Sequence, residues 1–348
     1  YPHIIIFLFL QIFFKCIIMY MDFISIGDIT TDAFIRLKDA KAIRDENGKK
    51  SELVLRFGDK VPYEFMEEVR AVGNSANAAV CASRLGLNSG MVTNVGDDHN
   101  GHECIATLRK NKVATDFVSV QKDKETNYHY VLWFEEDRTI LVKHHEYDYN
   151  FPEIDNPKWI YLSSIGENSL DYHKQIAEYL RNNQEVKFAF QPGTFQIKMG
   201  IENLKDLYAR CDIFFCNVEE AKNILNKPEE TDVKNLLKEM HDIGPNVVVI
   251  TDGPKGAYAY DGYEGFFMPP FPDPKPPYDR TGAGDAFSAT FTSAIALGRS
   301  LFDAFMWAPV NSMSVVQYVG AQKGLLTQEE ILKWLSQAPQ DYRPQKIM

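Results

Sequence analysis

The run Asp279-Arg-Thr-Gly-Ala-Gly-Asp285 sets three small residues just ahead of an acid that opens a predicted helix. Unpaired backbone N–H groups and the positive end of a helix dipole favour an anion at such a place. A carboxylate suits that neighbourhood poorly unless it takes a proton. The arrangement therefore reads as phosphoryl transfer, with Asp285 deprotonating the hydroxyl that attacks a phosphate. From 285 to 297 the chain carries no charge after Asp285, and Gly298 follows. That pattern predicts a helix buried all round and closed by a C′ glycine, so Asp285 is expected in a cleft near the core. An ordinary capped turn from Thr281 to Asp285 is the alternative, because Gly-x-Gly alone is a weak signal.

The elements that must position this loop can be read outward from it. Residues 22–27 read as a buried strand ending at the turn that carries Asp28 and Asp32. Helices are predicted over 73–86, 101–111, 169–182, 202–209, 219–226 and 231–243, and further strands over 91–95, 159–163, 187–190, 213–216 and 247–251. Strand and helix in alternation predict a parallel sheet covered on both faces, with ligands at the carboxyl ends of its strands. Asp28, Asp32, Asn217, Glu220, Thr251 and Gly253 fall at those ends.

Two regions break the alternation. Residues 33–72 read as charged turns with a short strand at 53–55. Residues 126–147 read as a hairpin whose first strand puts Tyr128, Tyr130, Leu132 and Phe134 on one face and His129, Val131 and Trp133 on the other. Both faces are largely apolar, so one could cover an active site and the other a partner subunit; a hairpin folded onto the main core is the alternative. The proline-rich run 268–277 reads as a stiff connector.

Composition narrows the function classes. The 348 residues, 45% hydrophobic and 24% charged, suit one large α/β domain or two small ones. A net charge of −11 with no basic block argues against a nucleic-acid partner. Five cysteines (Cys16, Cys81, Cys104, Cys211 and Cys216) with no Cys-x-x-Cys pair indicate neither a disulfide framework nor a zinc site. A reducing cytoplasm fits. His99 and His102 lack a third metal ligand and read as surface or cap residues, and His144 with His145 as the exposed end of the hairpin strand. Residues 1–20 are apolar but broken by Gln11 and Lys15, with neither a basic leader nor a small-residue cleavage site. They read as an extension outside the fold and no membrane partner is expected; a membrane anchor is the alternative that fractionation separates.

Taken together, several stretches resemble the ribokinase-like (PfkB-type) sugar and nucleoside kinases. Asp279-Arg-Thr-Gly-Ala-Gly-Asp285 is similar to that family's C-terminal signature, Val72-Gly-Asn-Ser-Ala-Asn-Ala-Ala-Val80 with Arg84-Leu-Gly86 to its N-terminal segment, and Asn217-Val-Glu-Glu220 to its Asn-x-x-Glu motif. Val95-Gly-Asp-Asp98 and Ile250-Thr-Asp-Gly-Pro-Lys-Gly256 fall at comparable strand ends, and the resemblance runs from about 22 to about 326. It implies a three-layer α/β/α domain over 21–338 with a mostly parallel central sheet, a small β-rich lid from about 33–72 and 118–148, and a tail at 339–348.

The resemblance implies ATP and Mg²⁺, with Asp285 as base and the amides of Gly282, Ala283 and Gly284 as anion hole. Asp32, Gly73 and Asn77 would hold the acceptor, with Asp28 joining them or ending its strand. Asn217, Thr251, Gly253, Gly256 and Asn311 would meet the nucleotide. Asn217 and Glu220 would hold the metal, against the alternative of a helix cap. Asp279 would help place a monovalent cation. Departures are Val72 in place of a glycine before Gly73, Arg280 inside the signature, and a long insert at 41–70.

The expected reaction is transfer of the γ-phosphoryl group to a sugar or sugar derivative. The alternatives are a nucleoside acceptor, for which Phe57, Tyr63, Phe65 and Trp133 could stack on a base, and a silent sensor of either ligand. The lid is the expected homodimer surface. Neither a P-loop nor a protein-kinase catalytic loop occurs.

Overall fold

Short apolar runs such as Phe23–Ile26 and Trp159–Leu162, buried at every position, have no solvent side and belong in the middle of a parallel sheet. The structure, a computed structural model, describes residues 20–45, 50–135 and 137–348. Seven parallel strands run in the order Val118–Gln121, Ser89–Gly96, Phe23–Ile26, Trp159–Leu162, Lys187–Phe190, Ile213–Asn217 and Val247–Thr251. Ala257–Tyr260, Gly265–Met268 and Gln345–Lys346 extend the far edge antiparallel. The last of these lies in the expected tail at 339–348, where Lys346 pairs with Phe266 and Gln345 with Phe267.

Helices cover both faces. Asn74–Arg84, Ala283–Ala296 and Leu301–Val315 bury their apolar residues in one core cluster. Leu170–Asn182, Ile201–Arg210 and Val233–Asp242 pack in the other. Ala283–Ala296 is the uncharged helix read from 285–297. It ends as anticipated, with Gly298 at φ +80°, its N–H on the Ile295 carbonyl and the Arg299 N–H on the Ala294 carbonyl. The predicted extension at 1–20 lies outside the described residues apart from Tyr20. Among the described residues no helix is long and apolar enough to cross a membrane.

The lid is a four-stranded sheet in the order Tyr63–Val72, Thr30–Leu37, Tyr128–Phe134 and Asp137–Leu141. The hairpin was legible in the sequence; Thr30–Leu37 and Tyr63–Val72 were not. The latter carries Glu64, Glu67, Glu68 and Arg70 among its apolar residues, and its alternation is broken at Met66-Glu67. It is a strand because it pairs antiparallel with Thr30–Leu37, with register shifts between Thr30 and Asp32 and between Arg36 and Leu37, a tertiary effect that outweighs local preference. Val131 and Trp133 turn inward onto Phe34 and Val319. Tyr130 and Leu141 face out, about half exposed. The hairpin strand stops at Leu141, so His144 and His145 lie beyond it rather than at its end.

Candidate active site

The signature loop turns into its helix at Gly282, whose φ of +77° suits glycine and whose missing Cβ would lie 2.1 Å from the Ala321 Cβ. The N–H groups of Gly282, Ala283 and Gly284 donate to no described group. They are the orphan donors of a helix N-terminus, and the Cβ side of Gly284 is open. The loop is therefore a true helix start, not a free-standing capped turn.

Asp285 is the third residue of this helix. Asn77 donates its Nδ2 to Asp285 Oδ2 at 2.8 Å and Gln191 its Nε2 to Oδ1 at 3.3 Å. Both donors are themselves fixed. Gln322 donates to Asn77 Oδ1 at 3.0 Å, while Tyr161 and Ser288 donate to Gln191 Oε1. Burial pushes the Asp285 carboxyl above its ordinary range, and the bonds from Asn77 and Gln191 pull part of the way back. Asn77, expected at an acceptor hydroxyl, instead uses both ends of its amide on Gln322 and Asp285. Gln191, Tyr161, Ser288 and Gln322 were not singled out in the sequence. Gln191 stands at the end of Lys187–Phe190 and could have been found by that position; the others had no local signal.

Two contiguous clefts meet here. One, of about 180 Å³, is lined by Asp285, Glu220, Asn217, Gln191, Thr251 and Gly284 among others. The second, of about 410 Å³, shares Thr251 and Gly284 and runs past Gly253, Gly256, Arg280 and Phe271. The proline run thus forms a cleft wall through Pro270, Phe271 and Pro277, beyond acting as a connector. Parallel pairing brings Asn217 beside Thr251.

Asn217 and Glu220 do form the cap that was the alternative reading: Asn217 Oδ1 accepts the Glu220 N–H and Glu220 Oε2 the Asn217 N–H, each at 2.9 Å. The cap engages one lone pair of the Asn217 oxygen and leaves its Nδ2 as a donor. Glu220 keeps Oε1 free of hydrogen bonds among the described residues. Its carboxyl is raised by burial and, further down the order of causes, by the nearby Asp285. Both cleft carboxyls are thus destabilised as anions, and no lysine or arginine lines the smaller cleft. A hydrated hard cation bound through one carboxylate and phosphate oxygens fits such a site. Among the described residues no group of three or more His, Cys, Asp or Glu is arranged to hold a metal by itself.

Two further expectations are corrected. Asn311 is fully buried, donates to Thr290 Oγ1 at 2.8 Å and accepts the Leu326 N–H, so it faces the core. The stripe of its helix that lines the cleft is Pro309, Ser312, Met313 and Val316, and Asn311 lies off it. Asp279 is buried with Oδ1 on the Thr281 N–H and hydroxyl and Oδ2 on the Gly320 N–H. Arg138 already supplies its cationic partner, 3.8 Å away.

On the acceptor side, Asp32 Oδ1 lies 3.2 Å from His129 Nδ1, its partner across the lid strands. Asp32 Oδ1 and His129 Nε2 are buried without hydrogen-bond partners. Gly73 backs onto Asp28, whose carbonyl oxygen would be 2.9 Å from an added Cβ. Of the two parts expected for Asp28, its contacts accord with ending the strand: Tyr149 Oη at 3.0 Å and the Gly166 N–H at 2.8 Å donate to its carboxylate. Burial holds its pKa at about 7 despite these bonds.

A family model described as pfkB family carbohydrate kinase matches residues 41–328. The chain is 29% identical over 274 residues to the ribokinase of Bacillus subtilis, covering 76% of this chain and 87% of that protein. It is 25% identical to the nucleoside kinase of Methanothermobacter thermautotrophicus, covering 75% of this chain and 83% of that protein. The structure of Arabidopsis thaliana ribokinase complexed with ribose and ATP superposes with a TM-score of 0.73 at 20% identity, over 91% of this chain and 99% of that one. That likeness establishes the ribokinase-like fold.

Proposed function

The chain belongs to the pfkB family of carbohydrate kinases and is a phosphotransferase with an alcohol group as acceptor, and from that premise we propose that it transfers the γ-phosphoryl group of ATP to a hydroxyl of a neutral sugar or sugar derivative. The observation that carries the reading is Asp285, held by Asn77 and Gln191 beside three N–H groups without partners. Its raised pKa suits a base that must accept a proton and then release it. The amides of Gly282, Ala283 and Gly284 stabilise charge building on the transferred group. Thr251, Gly253, Gly256 and the Asn217 Nδ2 line the path of the nucleotide, and Arg280 supplies the positive charge of the larger cleft. Mg²⁺, held by Glu220, would neutralise the phosphate oxygens.

Asp32 Oδ1, 3.2 Å from His129 Nδ1, and His129 Nε2 are buried atoms with no hydrogen bond among the described residues, and the hydroxyls of a sugar or of a nucleoside's ribose would satisfy them. A sugar is preferred to a nucleoside on one ground. Trp133, the aromatic best placed to stack on a base, is buried edge-on against Tyr278 and Phe65. The lid's outer face, with Tyr130, Met66 and Leu141 about half exposed, is the proposed homodimer surface. The buried, free cysteines Cys81, Cys104, Cys211 and Cys216 accord with a cytoplasmic setting. ADP release with ATP, Mg²⁺ and a panel of neutral sugars, phosphosugars and nucleosides tests the assignment. Turnover with a neutral sugar is expected, and turnover confined to nucleosides would reverse the choice of acceptor.

A further inference from the structure

The lid reaches the anion loop through one charged side chain. Arg138, in Asp137–Leu141, sets Nη1 3.8 Å from Asp279 Oδ1, and its Nε is buried without a hydrogen-bond partner among the described residues. Asp279 in turn fastens two loops. Its Oδ1 accepts the Thr281 N–H at 2.9 Å and hydroxyl at 2.6 Å, and its Oδ2 accepts the Gly320 N–H at 2.9 Å. The first loop runs straight on to Gly282, Ala283 and Gly284. The second carries Ala321, against which Gly282 is seated. Lid residues touch the same two loops elsewhere: Trp133 meets Tyr278 edge-on at 5.0 Å, and Val69 packs beside Gly320.

We infer that Arg138 is a positioning residue, which acts through Asp279 to set the amides of Gly282, Ala283 and Gly284 according to where the lid stands. A separation of 3.8 Å is an ion pair but too long for a hydrogen bond, and the guanidinium has a donor to spare. A small inward movement of the lid would convert attraction into a directed bond. That bond would hold the loop as the lid covers the acceptor. The inference rests on the anion-hole role proposed above.

The test uses the full chain as wild type, Arg138→Met, Arg138→Lys, Asp279→Asn and the Met/Asn double variant, with the acceptor giving fastest ADP release. Misplacing reacting groups by about 1 Å can cost on the order of 100-fold in rate. Arg138→Met is therefore expected to lower kcat at least about tenfold while both KM values stay within about twofold. Arg138→Lys should recover part of the loss. The double variant should be no slower than Asp279→Asn, because both changes cut one link. Wild-type kcat in Arg138→Met, a loss confined to KM, or losses that multiply in the double variant would overturn the inference. If Asp279→Asn melts below the assay temperature, the kcat and KM of the two Arg138 variants still decide. A wild type inactive with every acceptor removes the proposed function and this inference together; an active wild type unaffected by Arg138→Met removes this inference alone.

Discussion

Asp285 does not stand alone, and its neighbours make its role measurable. Burial raises its pKa and the Asn77 bond lowers it, so Asn77→Ala should move the acidic limb of the kcat profile to higher pH. A limb that stays put or moves down contradicts the assigned contact. The pair at 3.9 Å formed by buried Asp28 and partly exposed His144 gives a second, thermodynamic test. Asp28 is raised from 3.8 to about 7, chiefly by burial, so its contribution to stability is full below 3.8 and lost as pH rises through about 7. His144 is lowered from 6.5 to about 4 by burial and then by His129 and His145, so its contribution is full above 6.5 and lost as pH falls through about 4. The two slopes oppose each other. Relative to wild type, the Tm of Asp28→Asn should climb from pH 4 to 7 and that of His144→Asn should decline from pH 4 to 6.5; shifts of the same sign in both would refute the account. At this scale the sequence disclosed the acid and the small residues before it, because chemistry clusters in the chain there. The amides that aim the acid, Asn77 and Gln191, come from 208 and 94 residues away in the chain. The contact of Asn77 with Asp285 was not foreseen and Gln191 was missed for that reason.

Helices and parallel strands were the legible elements, since their apolar runs and end signals are local; Lys187–Phe190 and Val247–Thr251 match their expected bounds. The lid strand Tyr63–Val72 and the terminal strand Gln345–Lys346 were hidden, because each is made by its partner rather than by its own pattern. Asn311 was misplaced by one helical step, an error of phase that only the packing of Leu301–Val315 resolves. Two glycines of the signature helix separate local from tertiary constraint. Gly298 has φ +80° and open space around a notional Cβ, so Gly298→Ala should cost about 1–2 kcal/mol in chemical denaturation with kcat intact. Gly282→Ala adds a 2.1 Å clash with Ala321 to a similar φ, and should lose more stability and most turnover. Equal costs at the two sites would mean that Gly282 is not seated against Ala321.

Across the whole molecule, the two clefts that share Thr251 and Gly284 bring Asp285 and Glu220 together with Gly253, Gly256 and Arg280, and in the proposed reading the smaller holds the reacting groups and the larger the nucleotide. The lid exposes Tyr130, Met66 and Leu141 outward. Sedimentation at micromolar concentration should give a dimer for the wild type and a monomer for Tyr130→Glu, since a buried unpaired carboxylate is costly; a monomeric wild type rules this surface out as the contact. The central claim is that one carboxylate takes the acceptor's proton beside the helix-start amides of Gly282, Ala283 and Gly284. Its most direct test is single-turnover phosphoryl transfer in Asp285→Asn, with ATP and acceptor binding followed calorimetrically on the same sample. The account predicts a loss of about 10²–10⁴-fold in the transfer rate with both ligands still bound; transfer at the wild-type rate would contradict it.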